Sequence, residues 1–397
     1  MVTVHAGCCL MIFTVTGTVT GVAAVAGTAR ADNPPIVDRN YAIDLYDGVA
    51  LGNSRMVGMG GTGAALITGT AGALINPSAI AVRATTDADS WDLTAHFDYL
   101  TGRYSSDYDN NGVVTDDDSG AALVTGGLGL RVHDWSGAVT FVTQSVALPG
   151  SSPALAAIAT RWRLIVGNYR PAFDLALGAG IQLASFSLNE AGSSLFQVSG
   201  AGVVAGVTWL PRGENIRIGG ALDLAISGGE ITASCDPMSC RGHILPNEVD
   251  SPSRAVAGVA YRIGPTPWNQ QVLGAFRDER AVTLAADLVV TGATPNGYGI
   301  EAFGVGQLQR SGKAIAVSPR GGAEYEAWPG RLRVRGGLYW EPSRFDGIAG
   351  RFHGTFGVEL AVLRFQLFGQ HRLSLSFTGD LAARYRNLGL FSIGFWH

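Results

Sequence analysis

Residues 372–385, Arg-Leu-Ser-Leu-Ser-Phe-Thr-Gly-Asp-Leu-Ala-Ala-Arg-Tyr, alternate between two kinds of residue. One phase is apolar or small and ends on Tyr385, and the other is almost entirely polar and begins with Arg372. Because successive side chains of a strand point to opposite faces, this stretch predicts a β-strand with one apolar and one polar face.

The same alternation recurs from Trp91 to the last residue, in segments of about ten residues separated by turns. Such a series is typical of a transmembrane β-barrel, and single-chain bacterial barrels have even strand numbers. We therefore predict an all-β fold, a transmembrane antiparallel β-barrel of about 14 strands. The polar stretch Ser105–Gly120 is predicted to be a loop. The candidate strands are 90–100, 121–132, 136–146, 155–168, 172–187, 196–209, 215–227, 253–263, 281–291, 299–309, 314–327, 331–341, 351–363, 371–385 and 387–396.

Three details qualify this prediction. Segment 155–168 begins with an Ala-rich run that also suits a helix. The phase of the alternation flips after Leu363, which predicts a β-bulge or a strand end. A soluble β-sandwich alternates as well, and it remains the alternative fold.

Aromatic residues favour the membrane. They lie near predicted strand ends, as interfacial girdles require. The final segment, with Phe391, Ile393 and Phe395 before Trp396-His397, is similar to the terminal sorting signal of outer-membrane barrels. The girdle candidates are Trp91, Tyr99, Trp209, Tyr261, Trp328, Trp340, Tyr385 and Trp396.

Composition excludes several classes of protein. The chain has 397 residues, 15% of them charged, and a net charge of −4, so no basic excess indicates a nucleic-acid partner. Mean hydropathy is high, at +0.20, yet no apolar run of helix-spanning length follows the N-terminus. A helical membrane protein is therefore disfavoured, whereas a barrel is not.

Residues 1–31 are predicted to be a secretory signal peptide. An apolar stretch runs from Cys8 to Gly27, and the small residues of Ala29-Arg30-Ala31 precede Asp32. The n-region has no Lys or Arg, so an incorrect start or an N-terminal transmembrane helix is the alternative. Cleavage after Ala31 would leave 397 − 31 = 366 residues.

Residues 51–84 interrupt the alternation with a Gly-rich segment. It contains Ser-Arg-Met-Val-Gly-Met-Gly-Gly-Thr-Gly-Ala-Ala-Leu at 54–66 and Gly-Ala-Leu-Ile-Asn-Pro-Ser-Ala-Ile-Ala at 72–81. These residues resemble the N-terminal hatch of the long-chain fatty acid transporter family, the FadL/TodX-type outer membrane transport proteins. The motif Asn76-Pro77-Ser78 carries Ser where that family usually has Ala. The close match is confined to residues 54–81.

The chemistry of the segment suits a plug. Gly58, Gly60, Gly61 and Gly63 permit close backbone packing, and Pro77 would interrupt a strand. We predict residues 32–88 to be a hatch, or plug, inside a barrel of residues 89–397. The alternative is a nucleotide-binding Gly-x-Gly-x-x-Gly loop, which would need a βαβ unit that the sequence does not show.

The resemblance implies a function. Proteins of that family take up hydrophobic molecules, hold them near the hatch and pass them sideways through the wall into the bilayer. It implies a monomer of the bacterial outer membrane that meets the barrel assembly machinery, outer-membrane lipid and a fatty acid-like or hydrocarbon substrate. The alternatives are a structural or secretion-associated barrel and a general porin. The sequence contains no Gly-x-Ser-x-Gly elbow, so we predict no enzyme activity.

An acidic stretch fits the calcium-loop pattern D-x-[DN]-x-[DN]-G. Its ligands would be Asp107, Asp109, Asn111, the backbone of Val113, and Asp118 in place of the usual Glu. We predict Ca²⁺ binding here and no required cofactor. The alternative is a solvated acidic loop.

Two further groups are candidates for sites. Arg331, Arg333 and Arg335 share one face of a predicted strand, where they could hold a substrate carboxylate or phosphate. Alternatively they pair with acids such as Asp287, Glu359 or Asp380. Cys235 and Cys240, five residues apart in a Pro-containing loop, are predicted to form a disulfide, since a metal site with His243 would have few ligands.

Overall fold

The computed structural model describes residues 33–45, 52–83, 90–104, 107–113, 119–148, 151, 154–272, 276–366, 370–383 and 385–395. The predicted signal peptide, Asp118 and Trp396-His397 lie outside these ranges. None of the helices within them combines the length and the apolar character that a membrane crossing requires.

Strands make up most of the described chain. The three α-helices are α1 (Ser54–Gly58), α2 (Gly69–Gly72) and α3 (Ile300–Gly304), and a 3-10 helix covers Pro77–Ala81. The strands are β1 (Ala42–Asp44), β2 (Trp91–Tyr104), β3 (Ser119–Val132), β4 (Trp135–Leu148), β5 (Leu155–Arg170), β6 (Leu175–Glu190), β7 (Ser193–Trp209), β8 (Ile216–Asp223), β9 (Ile226–Ser227), β10 (Thr232–Ala233), β11 (Glu248–Ser251), β12 (Arg254–Ile263), β13 (Val282–Thr291), β14 (Gly297–Tyr298), β15 (Ala316–Trp328), β16 (Leu332–Glu341), β17 (Arg351–Gln366), β18 (Gln370–Ala382) and β19 (Tyr385–Phe395).

The large sheet has 15 antiparallel strands in the order β10-β7-β6-β5-β4-β3-β2-β19-β18-β17-β16-β15-β13-β12-β8. Strand β19 pairs with β2, and β7 also pairs with β8 at the opposite end of that order. The long connections between strands lie at one end of the strands, the end that contains Tyr104, Leu148 and Glu341, and we call this end the loop edge. The opposite edge, at Trp91, Trp135 and Trp209, is the turn edge.

The two faces of this wall reverse the usual burial pattern. Apolar side chains are exposed; Leu338 and Phe352, for example, are 65% and 71% exposed. Charged side chains of the other phase are buried; Arg163 and Glu324 are 6% and 4% exposed. The alternation read from the sequence is thus present, with its polar phase on the enclosed face.

A second, four-stranded sheet lies at the loop edge, in the order β14-β1-β11-β9. Strand β1 runs parallel to both β11 and β14. Around it, an apolar cluster combines residues of the N-terminal strand, the wall and the long loops, including Tyr41, Ile43, Phe186, Phe196, Val249 and Phe303.

One predicted strand is wrong. The segment 299–309 contains helix α3 instead, and its side chains explain why. Phe303 packs in the apolar cluster with Ile300 beside it, while Glu301 accepts hydrogen bonds from the loop at Tyr108 and Asn111. A strand would place Ile300 and Phe303 on opposite faces and Glu301 on the same face as Phe303, whereas one helical turn brings Ile300 and Phe303 together and directs Glu301 elsewhere.

Other ambiguities are settled by the pairing. The segment 155–168 forms strand β5, fully paired with β4 and β6. The phase flip after Leu363 coincides with a register shift between Ala361 and Leu363, so the predicted bulge is present. The candidate 215–227 is divided into β8 and the short strand β9.

Candidate functional site

Residues 52–83, which we call the Gly-rich segment, are buried or partly buried throughout. Helix α1 begins where the Asn53 side chain accepts a hydrogen bond from the Met56 N–H. The 3-10 helix begins in the same way at Asn76, with Pro77 at its first position. Short capped turns thus replace strands in this part of the chain.

Glycines allow this segment to approach the wall at backbone distance. Gly60 has φ +66°, and an added Cβ would lie 2.5 Å from the carbonyl oxygen of Gly321. A Cβ on Gly337 of β16 would lie 2.3 Å from the Gly60 nitrogen. Glycine therefore faces glycine where the segment meets β15 and β16.

Hydrogen bonds connect the Gly-rich segment to several strands that are far apart in the order of the large sheet. Asp98 on β2 accepts from the Ser54 N–H at 2.8 Å, and Asp287 on β13 accepts from the N–H groups of Gly63 and Ala64. The Gly60 N–H donates to Thr355 on β17. The bonds from Ser54, Gly63 and Ala64 satisfy N–H groups outside any helix or sheet ladder, whereas the Gly60 N–H also donates to the Val57 carbonyl.

The Asn76-Pro77-Ser78 motif is a hydrogen-bonding node. The Asn76 amide donates to the Ala64 carbonyl at 2.6 Å and to Thr208 Oγ1 at 3.1 Å. Its oxygen accepts from the N–H and hydroxyl of Ser78. The Ser78 hydroxyl also lies 2.7 Å from Thr208 Oγ1, so Ser at this position adds a contact that Ala could not make.

The three predicted arginines separate. Arg331 is exposed at the turn edge, whereas Arg333 and Arg335 are buried. Arg335 pairs with Glu324 and Glu359, and Arg333 lies 3.5 Å from Glu326. The structure thus shows Arg333 and Arg335 in the alternative arrangement, in which they pair with acids of the wall.

Arg55 of the Gly-rich segment joins this cluster through Glu324, at 2.6 Å. A second cluster, which sequence reasoning missed, contains Arg163, whose guanidinium donates to the Ala73 and Leu74 carbonyls and pairs with Asp223. Both clusters tie the Gly-rich segment to the wall. In the sequence, these clusters are indicated only by charged residues in the polar phase of the strands. Which charged residues pair with one another is decided by the fold.

The acids named as alternative partners lie in different places. Glu359 pairs with Arg335, as that interpretation expected. Asp287 instead binds the Gly-rich segment, and Asp380 accepts from Tyr339 at 2.6 Å and contacts His353 at 2.8 Å.

An apolar cavity lies at the loop edge, with roughly 620 Å³ of empty space, part of it open to solvent. Its apolar lining is Leu45, Val146, Leu148, Ala157, Ala159, Phe186, Ile300 and Phe345. Asp44 and Arg344, also in the lining, form an ion pair at 2.7 Å. These residues come from five distant parts of the chain, and sequence reasoning did not find the cavity.

A signal for the cavity exists in the strands themselves. On β4, the enclosed phase carries Thr140 near mid-strand and Val146 and Leu148 at the loop edge. On β6, Gln182 is likewise followed in the same phase by Phe186 and Leu188. On β4 and β6 the enclosed phase therefore changes from polar to apolar towards the loop edge, whereas β16 and β17 meet there at the buried charges of Glu341 and Arg351.

A second cavity, beside the Gly-rich segment and strands β2 and β18, has a different character. It holds roughly 560 Å³ of empty space and its lining includes Thr70, His96, Asp98, Ser374 and Ser376. His96 Nδ1 and Thr70 Oγ1 are 2.9 Å apart. Polar side chains thus surround most of this second cavity.

The remaining predicted residues lie at the loop edge. Cys235 and Cys240 are joined as a disulfide, with Cα atoms 5.2 Å apart. In the described part of the calcium-like stretch, the Asp107 carboxylate accepts from the N–H groups of Asn111 and Gly112. Val113 donates its N–H to the Asn111 side chain at 2.7 Å.

Comparison with known proteins identifies structural relatives. No family model matches the chain, and the search of curated proteins returns no match. A Pseudomonas aeruginosa FadL homologue is similar at a TM-score of 0.53 and 14% identity, over 87% of this chain and 96% of that one. The deltaS2 mutant of the TodX monoaromatic hydrocarbon channel has a TM-score of 0.52 at 14% identity, over 88% and 100%. The Ralstonia pickettii toluene transporter TbuX has a TM-score of 0.51 at 14% identity, over 87% and 98%.

These likenesses establish a shared fold. The resemblance to the FadL/TodX-type family that residues 54–81 suggested is therefore confirmed at the level of fold. Of these relatives, TodX is a monoaromatic hydrocarbon channel and TbuX is a toluene transporter.

Proposed function

We propose that this chain is an outer-membrane channel of the FadL/TodX type that takes up hydrophobic small molecules through a plugged barrel. The observation that carries the proposal is the apolar lining that β4, β5 and β6 present on their enclosed face at the loop edge. A polar lumen has no need of Phe186, Leu148 and Val146 on its inner side, whereas a binding site for an apolar molecule does.

The exposed surface supports a membrane location. Apolar side chains cover the outside of the wall and charged side chains are buried inside it. This is the reverse of the pattern in proteins that are surrounded by water. Trp91, Trp135, Trp209 and Trp328 are exposed at the turn edge, where an interfacial girdle would lie. Leaving out the short strand β10, the 15-stranded sheet has 14 strands, and the β7–β8 pairing would close them into a barrel.

The Gly-rich segment suits the role of the plug. Its contacts with β2, β7, β13 and β17 would place it across the lumen. An apolar molecule in the cavity would then meet ion pairs such as Arg163–Asp223 beneath it. Because these ion pairs offer an apolar molecule no favourable contact, the molecule would leave through the wall into the bilayer.

The lining favours an uncharged ligand. Arg344 pairs with Asp44 and also donates to Thr294, so it is already engaged by the protein. An aromatic hydrocarbon fits this chemistry better than a fatty acid carboxylate. TodX and TbuX are described as a monoaromatic hydrocarbon channel and a toluene transporter.

Uptake of radiolabelled toluene by cells that lack other such channels tests the proposal. We expect Leu148→Asp to reduce the initial uptake rate strongly, because a buried carboxylate would lie in the apolar lining. Leu148→Met, which keeps the volume and apolarity, is the matched control and should keep most of the rate. Equal uptake by both variants at equal surface expression would reject the cavity as the route.

A further inference from the structure

We propose that Asp107, Asp109 and Glu301 form a divalent-cation site of the Ca²⁺ type, which fastens the loop at 107–113 to helix α3 beside the apolar cavity. The proposal goes beyond uptake, because it assigns a metal site and a loop-fastening role. Its new element is Glu301, which no sequence pattern connects with the acidic loop.

The three carboxylates converge from two distant parts of the chain. One oxygen from each lies within 4.8 Å of the others. Glu301 is anchored there by the Tyr108 N–H at 3.2 Å and by the Asn111 side-chain amide at 3.1 Å. Three acids at this spacing repel one another unless a cation or a proton lies between them.

Asp109 provides a second, independent indication of a ligand. Both of its carboxylate oxygens are buried, and among the described residues no N–H or hydroxyl group donates to them. The Glu301 carboxyl lies within hydrogen-bonding range, so the two acids hold either a shared proton or a cation. The neighbours of the Asp109 oxygens are carboxylate oxygens of Asp107 and Glu301, which have no proton to donate when ionised. A buried carboxylate without a donor is costly, and a metal ion would compensate it.

The three acids together carry more negative charge than the neighbouring arginine offsets. The neighbouring Arg351 pairs with Glu341 and donates to the carbonyl oxygens of Asp107 and Tyr108. Arg351 therefore holds the loop backbone in place, while its charge is paired with Glu341.

The ligand set indicates the class of metal. All three side chains offer oxygen, which suits hard cations, and Ca²⁺ tolerates irregular geometry better than Mg²⁺ does. Asn111, predicted as a ligand, uses its oxygen for the Val113 N–H and its amide for Glu301. Asn111 is therefore a positioning residue. We expect a dissociation constant of about 10⁻⁴ to 10⁻³ M, as in other extracellular calcium modules.

The site borders the apolar cavity. Tyr108 and Asp109 from the loop, and Gly299 and Ile300 at the start of α3, are all part of the cavity lining. A cation bound between the loop and the helix would hold these two sides of the lining together.

Isothermal titration of the full-length protein in detergent, after treatment with a chelator, tests the site with Ca²⁺ alone as the probe. We expect one saturable site in the unmodified protein. Asp109→Asn and Glu301→Gln should each weaken binding at least tenfold, since even partners that only orient a metal ligand are worth roughly 10- to 100-fold. Asp346→Asn removes an exposed acid on a loop of the same edge and should leave binding unchanged.

Each alternative outcome is decisive. Binding that persists in Asp109→Asn, or falls equally in Asp346→Asn, would reject a discrete site. Binding that is lost in Asp109→Asn but unchanged in Glu301→Gln would reject the fastening of the loop to α3. A folded-state check, by heat-modifiable migration on gels, applies to each variant. Toluene uptake is measured separately, so failure of the cation site is distinguishable from failure of the transport proposal.

Discussion

The Gly-rich segment and the four-stranded sheet at the loop edge, which we call the cap, are held by the same wall but through a different balance of contacts. The Gly-rich segment shares a buried apolar cluster with Val256 and Val289 of the wall, and it adds hydrogen bonds, ion pairs and close backbone contacts at its glycines. The cap, built around β1, relies on an apolar cluster and one buried ion pair, Asp44–Arg344.

This difference results from the side chains that line the enclosed face of the wall, which differ along its length. Where the enclosed phase is polar, a segment without strand structure can be retained only if its backbone groups find partners there. Where the enclosed phase becomes apolar, burial of side chains such as Tyr41 and Ile43 provides the attachment. One wall therefore provides two kinds of site along its length.

Removal of the Gly-rich segment tests this contrast most severely. We expect a variant in which residues 52–83 are replaced by a short Gly/Ser linker to conduct ions in planar lipid bilayers, whereas the full-length protein is nearly silent. The wall that remains would be lined by charged groups such as Arg163 and Glu324, which admit water. Porin-like conductance of the full-length protein, or a silent deletion variant, would refute the plug.

Loss of Asp44 should have the next largest effect, on the cap alone. Asp44 and Arg344 are almost inaccessible, with side chains 0% and 1% exposed. Removing one partner of such a pair costs about 3–5 kcal/mol. Hydrogen exchange should therefore become faster at the amides of Ala42 and Leu45, which hydrogen-bond to Asn296 and Asp250.

The double variant Asp44→Leu/Arg344→Met is the matched control for that prediction. It removes both charges together, so protection of the same amides should return towards that of the unmodified protein. If the double variant exchanges as fast as Asp44→Ala, the ion pair is a net attachment of the cap and the apolar cluster contributes less than we infer.

Gly60→Ala measures the close approach of the Gly-rich segment to the wall. Gly213 has a similar positive φ, +76°, but open space around its Cβ position, so Gly213→Ala isolates the backbone strain. We expect Gly60→Ala to cost about 1–3 kcal/mol more, because its Cβ would overlap backbone atoms of Gly321 and Leu338. Urea unfolding in lipid vesicles compares the two, and equal destabilisation would contradict the close contact.

The smallest effect should come from the exposed pair Lys313–Asp346. Its side chains are 68% and 66% exposed. Lys313→Ala should change the free energy of unfolding by no more than about 0.5 kcal/mol, since solvent screens such pairs. A larger change in the same urea assay would mean that the cap depends on surface charge as well as on its apolar cluster.

Part of the architecture was predictable because it is local. The alternation in 372–385 is imposed by the two-residue repeat of a strand and by two different surroundings, so it identified the wall strands one at a time. The Gly spacing of residues 58–63 and the Asn76-Pro77 pair marked the non-strand segment in the same local way. At 299–309 the local pattern predicted a strand, and this prediction is wrong. Contacts of Phe303 and Glu301 with distant residues favour helix α3 instead.

By itself, then, the sequence determined the strand periodicity, the enclosed polar phase, the place of the Gly-rich segment and the acidic loop. Only the tertiary structure decided which charges meet: Arg335 with Glu324 and Glu359, Asp44 with Arg344, and Asp109 with Glu301. It also decided that apolar residues of β4, β5, β6 and α3 share one cavity. The physical reason is distance along the chain, since strand registers and long loops bring these groups together and no short repeat encodes their meeting.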